Sequence, residues 1–383
     1  MAKLAFKNAR MITPEQLILD SALLVHDCKI QGIVSISNVP EEYVTIDLHG
    51  NWLAPGFIDL HVHGAGGADT MDGSVKAIQT LADRHLHEGT TSLYPTTASG
   101  DREQIVKALQ IISSAMDEPE LVGRVMGAHL EGPFLNPEFR GVHPPEYLRE
   151  PANCEAEWQE YLSFPALKMI TLAPELAGSE QLVRAAVQRG VRVAIGHSDA
   201  LYGLVHQAQG WGVNQCSHLF NAMRGMQQRE PGTAGALLSM DNLYAQFIAD
   251  GVHVHPAVLK IIARCKGAEK GILISDAMRA AGMPDGTYSF GNKTVVREGN
   301  EVRDAEGHLA GSTLSVAEAV RNMVKRAGVG LQSAVQMATL TPAKAMGIEG
   351  QKGSLHKSRD ADLVVLSDDL VIMQVWSRGR QVR

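Results

Sequence analysis

The chain of 383 residues is short of three things: cysteine, net positive charge and long apolar runs. Its four cysteines, Cys28, Cys154, Cys216 and Cys265, lie far apart and form no CxxC pair. Thiols so scattered build neither a disulfide framework nor a structural zinc site, and they suit a reducing compartment. The formal net charge is −7. No broad basic field therefore recruits nucleic acid or an anionic membrane, and an anionic ligand needs a local basic pocket. No run approaches the ~18 apolar residues of a membrane span. The opening MAKLAFKNARMITPEQ lacks the apolar core of a signal peptide, so a cytoplasmic protein is expected.

What is present is ordinary globular composition, 45% hydrophobic and 20% charged, in a chain long enough for one large domain or two ordinary ones. Residues 1–53 read as short β segments separated by turn residues, and the last stretch, GSLHKSRDADLVVLSDDLVIMQVWSRGRQV, reads alike. Between these ends, short apolar runs alternate with stretches of helical period, the mark of βα units and a parallel sheet. There are eight such runs: 56–63, 91–97, 124–132, 168–175, 191–198, 214–221, 244–254 and 270–278. Helix-like segments such as SVKAIQTLADRHLHEG and SEQLVRAAVQRG end on glycine, as helix C-termini often do. Eight units in this length predict an α/β fold, a (β/α)8 TIM-like barrel over 54–349. The terminal β segments, 1–53 plus 350–383, then form a small β-sandwich domain built from both chain ends.

The first run, FIDLHVHGAGG, carries His61 and His63 one residue apart. Alternation along a strand points Asp59, His61 and His63 to one face. Two imidazoles there can share a metal, or they can be core histidines satisfied by backbone carbonyls; the stretch by itself does not choose. The other runs do. Glu131 ends the third, His197 the fifth, His218 the sixth, Asp250 and His253 the seventh and Asp276 the eighth. Barrel active sites sit at the C-terminal ends of the strands. Imidazoles and carboxylates at six of eight such ends point to a divalent metal site.

In this order, HxH after the first strand, later strand-end histidines and a final strand-end aspartate resemble the amidohydrolase superfamily. Finer motifs, HLEGPFLNPEFRGVHPPE (129–146), IGHSDA (195–200), HLFNAMRGMQQREPGTAGA (218–236), IADGVHVHP (248–256), ISDAMRAAGMPDG (274–286) and LAGSTLSVAEAVRNM (309–323), resemble the N-acetylglucosamine-6-phosphate deacetylase family over nearly the whole chain. The resemblance implies Glu131, His197 and His218 as principal metal ligands, with His61 and His63 as extra ligands for a second ion. One or two divalent ions per subunit, zinc or iron, are expected. Asp276 matches the catalytic carboxylate that moves a proton from water to the amine. His143 matches the residue that polarises the acetamide oxygen. His253 matches a histidine that contacts sugar and phosphate. Asn221 and Ala222 match phosphate-binding positions, and Arg229 matches an arginine that pairs with phosphate, in many members across a homodimer interface. Val142 and the segment Leu309, Ala310 and Gly311 align with substrate-facing loops.

The expected activity is metal-dependent hydrolysis of the acetamide of N-acetyl-D-glucosamine 6-phosphate, in amino-sugar catabolism. The partner is a phosphorylated N-acetyl amino sugar; neither nucleic acid nor membrane is expected. The same motifs also resemble the galactosamine-6-phosphate branch, and the single hydroxyl that differs is not readable from sequence. A cyclic-amide or dipeptide hydrolase is more distant, since the fourth run ends LAPE with no lysine to carboxylate. A binding module or metal-free relic would require missing ligands, and all are present. Among the other histidines, His129 shares a strand face with Glu131 and reads as a supporting or core residue. His85, His87, His206 and His255 read as structural or surface. Cys216 reads as a small core residue, with no base beside it.

Overall fold

The computed structural model describes residues 3–291 and 293–383. Eight central strands follow one another along the chain: β1 (Phe57–Val62), β2 (Thr90–Pro95), β3 (Ala128–Glu131), β4 (Leu167–Leu172), β5 (Arg192–Ile195), β6 (Gln215–Cys216), β7 (Tyr244–Ile248) and β8 (Gly271–Ile274). Strands β3 to β8 form a six-stranded parallel sheet in chain order, and β1 and β2 form a parallel pair. Isolated parallel bridges Leu93–Val125 and Thr96–His129 join β2 to the β3 segment. At the other side, Val62 bridges Ala277, and the Asp276 N–H donates to the His61 carbonyl at 2.9 Å. The fold is thus mixed α/β around parallel strands whose side chains are nearly all buried, as runs covered on both faces require.

Each of the eight expected runs overlaps one of these strands, which start within a few residues of it but stop earlier than the apolar run. His197, His218 and Asp276 lie just past the ends of β5, β6 and β8 and have φ of 50°, 25° and 50°. The chain there turns through the left-handed region, and beyond it Ser198 and Ala277 make only isolated bridges.

Helices fill the connections. Helix α1 (Val75–His87) starts where Ser74 accepts a hydrogen bond from Ala77 N–H, and buries Ile78, Leu81, Ala82 and Leu86 at helical spacing. Gly89 ends the turn at φ 89°, and a Cβ there would stand 2.9 Å from Ile372, so only glycine fits. Helix α2 (Arg102–Asp117) opens with a reciprocal capping box between Asp101 and Gln104.

One element was not anticipated. After β8 comes a three-stranded antiparallel sheet, β9 (Gly286–Phe290), β10 (Lys293–Glu298) and β11 (Glu301–Asp304). It packs Phe290, Val295 and Val302 against Val142, Met278 and Ala310. The alternation in TYSF and KTVV, with glycine–asparagine turns between strands, is a hairpin signal that the βα count passed over.

The chain ends make two further sheets. One pairs Leu4–Lys7, Ser21–His26, Lys29–Ser35 and Val44–Asp47. The other places Trp52–Pro55 between Leu363–Leu366, antiparallel, and Arg10–Ile12, parallel. A separate apolar cluster gathers Phe6, Leu23, Ile30, Leu53, Leu363 and Trp376 from both ends. Beside it Lys352, buried, donates to Asp362 at 2.5 Å, to Gly123 O at 2.7 Å, and stands 3.0 Å from Asp360. Among the described residues no helix is long and apolar enough to cross a membrane.

Candidate active site

The C-terminal ends of the parallel strands face a cavity of about 390 Å³. At its floor the Glu131 carboxylate, on the last residue of β3, is 2% exposed and surrounded by imidazoles. Its Oε1 lies 3.1 Å from His218 Nε2 and 3.5 Å from His197 Nε2. Its Oε2 lies 3.2 Å from Nε2 of both His61 and His63. Asp276 Oδ1 stands 3.5 and 3.4 Å from those same two nitrogens. Within each pair the imidazole nitrogens nearly touch, 3.1 Å for His197–His218 and 3.2 Å for His61–His63.

Hydrogen bonds on the far side of the rings say what these nitrogens carry. His197 Nδ1 faces the Phe139 carbonyl at 2.8 Å, and His218 Nδ1 faces the Asn221 carbonyl at 3.1 Å. A carbonyl only accepts, so each Nδ1 holds the proton and each Nε2 lone pair faces inward, the arrangement of metal-ligating histidine. His61 and His63 have no such partner on Nδ1. Their rings are held by edge-on packing, His61 on His129 at 4.6 Å and His63 on Phe290 at 5.3 Å. Facing lone pairs 3 Å apart repel unless a cation lies among them, so this donor set fits a divalent metal.

The electrostatics agree. Burial alone would push the His63 pKa down, yet hydrogen bonds and charge from Asp276 and Glu131 raise it to about 10. Burial would raise Glu131, but the surrounding histidines hold it well below the carboxylate range. A cluster that takes up positive charge so strongly will exchange protons for a metal ion.

His143 differs from the others. Its Nδ1 accepts from the Ser99 backbone N–H at 3.1 Å and lies 2.8 Å from Ser99 Oγ. A backbone N–H only donates, so in neutral His143 the proton is on Nε2, 3.6 Å from Glu131 Oε2 and facing the cavity. His143 falls within ligand distance of Glu131 and His197, but its inward group is a donor, not a lone pair.

Of the residues expected from sequence, His63, Glu131, Val142, His143, His197, His218, Asn221, Ala222, His253, Asp276, Leu309 and Gly311 line the cavity. His61 lies just beneath them, fully buried. Ala310 turns away into the apolar cluster under the β9–β11 sheet. Arg229 is not brought in: it lies on an exposed loop outside the lining. Asp250 orients rather than lines, accepting from the N–H groups of Val252 and His253 at 2.8 Å and contacting His253 Nδ1 at 2.7 Å. His129 forms a buried chain with Thr96 at 3.2 Å and Thr171 at 2.7 Å. His255 accepts from Ala257 N–H at the start of a helix. Cys216 is buried, and burial pushes its thiol up to about 12. Arg140, Phe290 and His308 also line the cavity. None stands at the end of a central parallel strand, where the candidate ligands were sought.

The sequence profile of the amidohydrolase family matches residues 52–382. The N-acetylgalactosamine-6-phosphate deacetylase of Escherichia coli O157:H7 is 38% identical over 372 residues, 97% of each chain. The N-acetylglucosamine-6-phosphate deacetylase of Bacillus subtilis (strain 168) is 35% identical over 384 residues, 98% of this chain and 96% of the other. In structure, the N-acetylglucosamine-6-phosphate deacetylase of Pasteurella multocida superposes with a TM-score of 0.94 at 32% identity, covering 99% of both chains.

Proposed function

The chain belongs to the amidohydrolase family, and from its site we propose that it hydrolyses the acetamide of N-acetyl-D-glucosamine 6-phosphate to D-glucosamine 6-phosphate and acetate. The observation that carries this reading is the Glu131 carboxylate, its two oxygens shared between two pairs of inward-facing imidazoles, beside the cavity-facing donor of His143.

Glu131, His197 and His218 would hold the principal ion, zinc or iron, and His61 and His63 with Asp276 a second. A divalent ion so held supplies the acidity that makes hydroxide available near neutral pH. The protein does the rest. Asp276, 9% exposed and in contact with His61 and His63, accepts the proton of the attacking water and returns it to the amine leaving group. His143 donates from Nε2 to the acetamide oxygen as negative charge develops there. Ser99 keeps that proton on Nε2 by occupying Nδ1. Asp250 holds the His253 ring toward the sugar and its phosphate, with Asn221 and Ala222 beside it.

We read the frame as a (β/α)8 barrel over 54–349, supported by the bridges that link β1 to both β2 and the segment after β8. We read the end segments, 1–53 plus 350–383, as one small β sandwich, supported by their shared apolar cluster. The exposed loop carrying Met226 and Arg229 supports a homodimer in which Arg229 reaches the neighbouring subunit's site. A cytoplasmic location accords with the scattered thiols.

The galacto epimer is the second reading, favoured by the 38% identity to the Escherichia coli O157:H7 enzyme. Acetate release from both epimers, measured side by side with divalent metal present, decides. Preference for the gluco epimer upholds the proposal; preference for the galacto epimer keeps the chemistry and moves the substrate. Inactivity on both, with metal bound, sinks it.

A further inference from the structure

We propose that Arg140 recognises the substrate's 6-phosphate from within its own subunit and sets the preference for phosphorylated over unphosphorylated sugar. The inference rests on the deacetylase reading above.

Arg140 lies on the loop after β3 and lines the cavity. Its Nη1 donates to the His143 carbonyl at 3.2 Å and, weakly, to the Gly141 carbonyl at 3.5 Å. These bonds anchor one corner of the guanidinium. Among the described residues Nε and Nη2 have no protein acceptor, and no carboxylate lies within 4.0 Å of the group. Arg224 and Arg279 lie outside the lining and, like the lining residue His308, are already matched. Arg224 pairs with Asp199 at 2.5 Å and Arg279 with Asp72 at 2.9 Å. His308 faces Asp304 at 3.3 Å and Glu306 at 3.4 Å. Among the described residues Arg140 is the one arginine or lysine that lines the cavity; Glu138, two residues before it, also lines it. A guanidinium leaves bulk water at a cost unless an anion meets it, and its planar fork matches phosphate oxygens.

The position is right as well. The Asn136 N–H donates to the His197 carbonyl at 2.9 Å, and His197 Nδ1 donates to the Phe139 carbonyl at 2.8 Å. The next residue, Ser198, donates through N–H to the Ala222 carbonyl at 3.2 Å. The Arg140 loop, His197 and the Asn221–Ala222 turn therefore lie side by side along one flank. In that turn Phe220 and Ala222 have φ of 78° and 49°, a backbone that gathers N–H groups into an anion-binding concavity. Arg140 and the turn both line the cavity, while Arg229 of the same subunit stays outside the lining.

The test compares wild type, R140Q, R140K and R229A. For each, kcat/KM is measured on N-acetylglucosamine 6-phosphate and on unphosphorylated N-acetylglucosamine, and binding of inorganic phosphate is measured by calorimetry. A charge-assisted hydrogen-bonded pair is worth about a ten- to hundredfold change. R140Q should lower the phosphorylated-to-unphosphorylated kcat/KM ratio by about that factor, through KM, and weaken inorganic phosphate in parallel. R140K, which keeps the charge and loses the fork, should lie between. An unchanged ratio with unchanged phosphate binding overturns the proposal, as does equal loss on both sugars. If R140Q does not fold, R140K decides by the same ratio. If the wild type cleaves neither sugar, the deacetylase reading falls, and phosphate binding to wild type and R140Q still tests Arg140 alone.

Discussion

His143 and His197 pack edge to face with ring centroids 4.8 Å apart, yet the bond each makes on Nδ1 gives them opposite roles. His197 gives its Nδ1 proton to a carbonyl and presents a lone pair; His143 receives an N–H and presents a proton. Replacing His143 by Gln should lower kcat about 10²–10³-fold, with metal content unchanged, as removal of one oxyanion donor does. Asp276→Asn should retain fold and metal while kcat falls about 10²–10⁴-fold, the span of general acid–base catalysis. Acetate release and elemental analysis check both. The clustering of imidazoles and carboxylates was legible in sequence because strand alternation and strand ends restrict where an imidazole can point. The His143 proton was not legible, since it depends on Ser99, 44 residues away. Arg140 escaped because a loop arginine carries no periodicity, and Arg229 was placed by resemblance and lies outside its own subunit's cavity.

Among elements, the strand ends and the β9–β11 sheet do the positioning. The left-handed φ of His197, His218 and Asp276 costs energy at each position, about 1–3 kcal/mol where a side chain is strained. The same turn releases those residues from the ladder and swings them over the cavity. The apolar runs were readable because each central strand is covered on both faces. Their ends were not, because apolar residues such as Leu219, Ala277 and Met278 follow the turning positions and prolong each run past its strand. The inserted sheet was readable in principle from its alternation. Its function is local: Phe290 roofs the cavity and braces the His63 ring, whose Nδ1 has no hydrogen bond. Phe290→Ala removes that brace and a buried aromatic, at about 3–5 kcal/mol. Faster amide exchange over 286–304 and weaker binding of a second metal equivalent are the expected results, with exchange elsewhere unaltered.

Across the whole molecule, Lys352 ties the end strands to the central α/β body through Gly123, Asp360 and Asp362. Burial would push its ammonium down, but the two carboxylates hold it above its ordinary value of 10.5. Burial would likewise raise Asp360, and Lys352 with its other partners holds it below 3.8. A depressed carboxyl contributes stability above its unfolded pKa and loses it as pH falls through the lower folded value. A raised ammonium contributes below 10.5 and loses it as pH climbs through the higher folded value. This contribution is therefore intact from about pH 4 to 10. Lys352→Met leaves buried carboxylates short of a cation, at about 3–5 kcal/mol. Those carboxyls then gain by protonation, so the Tm deficit should be larger at pH 7 than at pH 5; an equal deficit at both would contradict the charge argument. None of this cluster was visible in sequence, since Lys352 and Gly123 meet only through the folded chain.

Trp52–Pro55 finds its neighbour in Leu363–Leu366, more than three hundred residues later. During translation, the strand made first must wait with one edge unpaired until the ribosome has delivered nearly everything else. Folding of this chain is thus finished late and from both ends inward, and unfinished nascent chains expose a strand edge that other unfinished chains can pair with. That one strand pair closes the exposed edge, whatever the chemistry at the other end of the molecule requires.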